Sequence, residues 1–111
     1  METNIFEKAT LLDFQSLVEY STNGIVSKKV LEKKTGNITL FAFDEGQKFS
    51  EHTAPFDAMV QVIEGIGEII INGQSFLLEK GKSIIMPANV PHAVYAVEKF
   101  KMLLTMIKEP A

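Results

Sequence analysis

The chain has 111 residues, 46% of them hydrophobic, which suits one domain over residues 1–111 with a core of its own and leaves no length for a second. Cysteine is absent, so disulfides, thiolate metal sites and cysteine nucleophiles are excluded. All 11 basic side chains are lysines, set against 14 acidic ones for a net charge of -3, so the bidentate arginine contacts and basic stripe expected of a nucleic-acid binder are missing. No apolar stretch approaches the roughly 20 residues that span a bilayer. The opening METNIFEKATLLDF carries early acids and no basic start before an apolar run, so no membrane partner and a cytoplasmic location are expected.

Taken in chain order, residues 9–20 (ATLLDFQSLVEY) offer either a helical turn capped by Thr10 or Asp13, or irregular chain. Short apolar runs then follow, predicting strands at 24–31, 38–43, 58–63, 68–71, 75–78, 83–86, 92–97 and 100–107. Turn signals cut them at Thr35-Gly36-Asn37, Asp44-Glu45-Gly46, Gly65-Ile66-Gly67, Asn72-Gly73 and Lys80-Gly81-Lys82, a rhythm typical of an all-β sandwich or barrel. Asn72-Gly73 is the sharpest, since both residues accept the positive φ angles of a two-residue hairpin. Gly65-Ile66-Gly67 reads as a hairpin bend; it lacks the third glycine and following helix of a phosphate loop. Lys28, Lys29, Lys33 and Lys34 read as a solvated strand or turn.

Alternation assigns faces. In the run 58–63, Ala58, Val60 and Val62 share the side predicted to look inward, while Gln61 lies opposite. In the run 92–97, His92, Val94 and Ala96 fall together and Tyr95 lies on the other side. The run 100–107 is apolar on both faces over much of its length, which demands cover from a second sheet layer or another subunit. The stretch 102–107 is consistent with a buried contact in a homodimer, which is the expected assembly.

The two histidines, His52 and His92, are 40 positions apart, one after the turn at Gly46 and one after the proline-punctuated stretch Met86-Pro87-Ala88-Asn89-Val90-Pro91. Both are expected near strand ends, where a barrel mouth can aim two rings at one point. Met59, Met86 and Met102 could add thioethers, although methionine is chiefly core filler. Asp57, Glu51 and Glu64 read as surface charges. No small-residue elbow frames a serine as a nucleophile, which argues against a triad hydrolase.

These residues carry a resemblance. Gly46, His52 and Gly65 fall on the first motif of the cupin superfamily, and Gly81, Pro87 and His92 on its second, with 15 residues between the motifs and a motif-bearing core at 46–96. The resemblance implies an antiparallel double-stranded β-helix, the jelly-roll cupin barrel, with a divalent metal ion such as zinc, nickel, iron or manganese on His52 and His92. The chain departs from that pattern where the family's second histidine and its glutamate would stand, at Ala54 and Ala58. Asn89 replaces a usual glycine and Ala96 a usual asparagine.

Two imidazoles without a carboxylate form a reduced metal set. The leading expectation is therefore a small molecule held in a barrel lumen lined by Val60, Val62, Val94 and the two alanines, with His52 and His92 as polar anchors. A metal-dependent oxygenase or isomerase, and a noncatalytic structural dimer, are the alternatives; whether the chain is an enzyme is left open by the sequence.

Overall fold

In a computed structural model, residues 6–109 are described. Among these residues nine strands follow a 3-10 turn at Phe14–Ser16: β1 (Ile25–Lys33), β2 (Gly36–Phe43), β3 (Lys48–His52), β4 (Asp57–Glu64), β5 (Ile66–Ile71), β6 (Gln74–Glu79), β7 (Ser83–Met86), β8 (His92–Ala96) and β9 (Phe100–Ile107). They form a five-stranded sheet ordered β1-β2-β9-β4-β7 and a four-stranded sheet ordered β3-β8-β5-β6. Every pairing is antiparallel. The two sheets face each other as a jelly roll.

The eight runs expected from the sequence correspond to eight of these strands. The ninth, β3, was not among them, because KFSEH holds one apolar side chain and stands at a sheet edge, where only one side is paired. Asn72 (φ 51°) and Gly73 (φ 82°) make the expected hairpin between β5 and β6. The Gly65 bend is different from the hairpin expected: β4 and β5 lie in different sheets, so Gly65 carries the chain across the edge of the barrel. Its φ of 77° and the Lys99 carbonyl packed where a Cβ would project both require glycine.

The inward faces enclose Phe43, Val60, Val62, Ile69, Phe100 and Met102. Ala58, Val60 and Val62 are buried together on β4, and His92, Val94 and Ala96 on β8, while Tyr95 faces out, as alternation requires. Within this core the Phe43 and Phe100 rings stack with centroids 4.8 Å apart.

A second core lies on the outside of the five-stranded sheet. Residues from the stretch before β1, among them Phe6, Val18, Leu17 and Tyr20, pack over Leu40, Ala42, Ile63 and Leu103. This strap is extended apart from the 3-10 turn, and the Asp13 side chain makes no capping bond there. It supplies, for the upper part of β9, the second-face cover that the sequence reading assigned to another sheet layer or subunit.

The strap is pinned by a polar cluster. Lys101, only 7% exposed, donates to the Gln15 carbonyl and lies 3.6 Å from the Glu64 carboxylate. Glu64 accepts from the Tyr20 hydroxyl and, at 3.0 Å, from the Gln15 side-chain amide. Glu64 is thus a half-buried ion-pair partner, correcting its reading as a surface charge: its place at the end of β4 puts it under the strap. Lys28 also departs from the solvated reading, since it donates to the Leu17 carbonyl at 2.8 Å.

Candidate functional site

His52 ends β3 and His92 begins β8, and the two are register partners across the β3–β8 ladder after an irregularity between Phe49 and His52. That irregularity permits both rings to meet at the open end of the barrel. Their planes lie at 72° with centroids 4.4 Å apart. The two Nε2 atoms are 3.2 Å from each other. His92 is 6% exposed, whereas His52 faces solvent at the rim.

The backbone fixes the tautomers. His52 Nδ1 lies 2.8 Å from the Ser50 carbonyl and His92 Nδ1 lies 3.2 Å from the Val90 carbonyl. A carbonyl oxygen only accepts, so each Nδ1 carries the hydrogen. In neutral rings, both Nε2 atoms are then acceptors that point at one spot. Burial, and next the neighbouring His52 ring, hold the His92 imidazole below the ordinary histidine value of 6.5, while its bond to Val90 pulls the other way.

Neighbouring loops hold this arrangement. The Asn89 N–H donates to the Ala54 carbonyl at 2.7 Å, and the Ala88 N–H donates to the Asp57 carboxylate at 2.8 Å. Asp57 is exposed and turned away from the lumen, as expected, yet it anchors the loop that carries His92. Asn89 has φ 63°, a left-handed conformation in which asparagine is a tolerated substitute for glycine.

Below the histidines opens a cavity of about 520 Å³. Phe49, Phe56, Val94 and Leu104 line it together with Ala54, Ala58, Met86, Met102 and Met106, and Lys48 and Ser50 complete its rim. Ala58 is the register partner of Met86 on one side and of Met106 on the other, so a methyl group sits between two thioether side chains on that wall. A longer side chain at 58 would fill this space.

Of the residues singled out from the sequence, His52, Ala54, Ala58, His92 and Val94 border the cavity. Val60 and Val62 share the inward face of β4 but are packed in the closed core and do not line it. Met86 and Met102 line it, whereas Met59 lies on the outer face, paired with Ile85 and Thr105. Phe49, Phe56, Leu104 and Met106 were missed. The parity of Met102, Leu104 and Met106 along β9 was the available signal for the last two; Phe49 and Phe56 had none, lying in a strand and loop without apolar periodicity.

The model of the cupin domain family matches residues 39–108. The chain belongs to the cupin family. A conserved protein of unknown function from Streptococcus pyogenes is 38% identical, with a TM-score of 0.91 over 98% of this chain and 95% of that one. A cupin 2 conserved barrel domain protein from Leptotrichia buccalis is 41% identical (TM-score 0.82), covering 85% of this chain and 46% of that one. A cupin superfamily protein from Desulfitobacterium hafniense is 25% identical (TM-score 0.88), covering 96% and 97%. Among curated proteins none matches.

For this cupin the metal donors can be counted directly. Among the described residues no cluster of three or more histidine, cysteine, aspartate or glutamate side chains could hold an ion. The full four-ligand set of the family therefore does not fit this barrel. What is present is a pair of imidazoles facing an apolar wall. Among the described residues, no helix is long and apolar enough to cross a membrane.

Proposed function

We propose that this cupin binds a small, predominantly apolar molecule in its lumen, anchored at its polar end by His52 and His92. The observation that carries this reading is the 520 Å³ cavity, a size typical of small-molecule sites, with an apolar wall and two convergent imidazoles at its mouth. Alanine at 54 and 58 keeps that space open. The neutral fluorescent probe N-phenyl-1-naphthylamine tests the reading. One equivalent per chain is expected to brighten on binding, and Ala58→Phe, which fills the cavity, is expected to abolish the signal while thermal unfolding stays cooperative. Equal probe binding by Ala58→Phe would place the site elsewhere.

A second reading has one observation in its favour. Two Nε2 acceptors 3.2 Å apart match the bite of a cation at about 2.0–2.1 Å from each nitrogen. A zinc, nickel, iron or manganese ion held by His52 and His92, with waters in its remaining positions, is the corresponding proposal. Elemental analysis of wild type, His52→Ala and His92→Ala tests it: a stoichiometric ion lost in both variants supports the metal reading. A wild type that stays empty after incubation with all four metals ends it.

A further inference from the structure

The chemistry of the polar end narrows what the lumen takes; this step rests on the lumen-binding reading. Both Nδ1 hydrogens are spent on the Ser50 and Val90 carbonyls, so with both rings neutral the pair faces the cavity as acceptors without a donor. Two lone pairs 3.2 Å apart repel unless a hydrogen is placed between or beside them. Among the described residues no acidic side chain lines the cavity, so no protein carboxyl supplies that hydrogen, and Ser50 at the rim alternates with Phe49 along β3 and is exposed. Lys48 at the rim is paired with outward-facing Tyr95, on the side of β3 opposite Phe49.

The body of the cavity has its own preference. Phe49 and Phe56 present ring surface, and Met86, Met102 and Met106 present thioethers. Aromatic rings gain from both, through edge-to-face contacts and through sulfur at the ring edge. A carboxylate, which only accepts, would meet two acceptors and lose hydration against an apolar wall.

We infer that the lumen selects aromatic molecules carrying one hydrogen-donating hydroxyl, the phenol class, over the matching ether and the matching carboxylate. The hydroxyl donates to the Nε2 pair and the ring lies among the thioethers and phenylalanines. No covalent step is implied by this arrangement.

Three probes of one shape test it by isothermal titration at neutral pH: 2-naphthol, 2-methoxynaphthalene and 2-naphthoate. For wild type, 2-naphthol is expected to bind about tenfold or more tightly than the ether, the size of one buried hydrogen bond, and more tightly than the carboxylate. The double variant His52→Ala with His92→Ala is expected to erase the preference for 2-naphthol while leaving the ether's affinity within about threefold, which loss of fold would not do. Equal binding of naphthol and ether by wild type, or tighter binding of 2-naphthoate, overturns the inference. If all three bind equally and Ala58→Phe blocks them, lumen binding stands and the phenol preference falls. If none binds, both fall.

Discussion

At the scale of single residues, His92 links the site to stability. Its ring is held below the ordinary histidine value in the folded chain, chiefly by burial. Unfolding frees it to titrate near 6.5, so between that value and its lower folded one the unfolded chain binds more protons, and stability falls as the pH is lowered through the window. Above it both states carry a neutral ring and the effect vanishes. The melting temperature of wild type is therefore expected to fall more than that of His92→Gln between about pH 7.5 and 5.5. Glu64, whose carboxyl is held below the ordinary 4.5 first by the Tyr20 hydroxyl, loses its contribution only at lower pH, so the two windows separate. A parallel decline in both proteins would contradict the assignment. Gly65 gives a steric test: Gly65→Ala meets the Lys99 carbonyl and is expected to cost more than 2 kcal/mol or so by chemical denaturation, against about 1 kcal/mol for Gly73→Ala, where a Cβ meets nothing within 4 Å.

At the scale of elements, the strap and β9 are one unit. Lys101 points outward on β9 by alternation, yet the strap closes over it and satisfies it with the Gln15 carbonyl and Glu64. Removing one partner of such a pair leaves the other charge uncompensated, whereas replacing both partners together by apolar side chains of similar volume costs little. Glu64→Ala is expected to destabilise the fold by about 1–3 kcal/mol, less than a fully buried pair because Glu64 keeps some solvent contact. The double replacement Glu64→Leu with Lys101→Met is expected to be less destabilising than Glu64→Ala alone, and urea titration of the variants distinguishes the outcomes. The strap also shows why the sequence was only half readable here. Strand alternation exposed the inward sets Ala58-Val60-Val62 and His92-Val94-Ala96, because a period of two survives in any half-buried strand. The strap has no period: Phe6, Leu12, Phe14, Leu17 and Val18 are buried or half-buried at irregular spacing, since each settles into a different hollow of a sheet that the local sequence does not encode.

At the scale of the whole molecule, the motif glycines, Pro87 and the histidines made the cupin barrel legible, and parity placed His92 on its inner face. The cavity was not legible in the same way. Val60 and Val62 share the parity of Ala58, and only depth along β4 separates packed core from open lumen; depth is set by how the two sheets meet. Assembly follows the same division. The strap covers Leu103 but leaves Ile85 and Ile107, 61% and 69% exposed, on the outer face of the same sheet. A homodimer through this face is expected in light scattering at micromolar concentration, and Ile85→Glu with Ile107→Glu is expected to give the mass of one 12.4 kDa chain. A monomeric wild type would contradict the pairing. The claim that the lumen is a binding site is tested most directly by the methionine methyl groups, which report from inside and outside the barrel at once. In a titration of methyl-labelled protein with 2-naphthol followed by NMR, the Met86, Met102 and Met106 signals are expected to shift together while outward-facing Met59 stays fixed. Shifts confined to Met59, or no shift at the three lumen methionines, would contradict it.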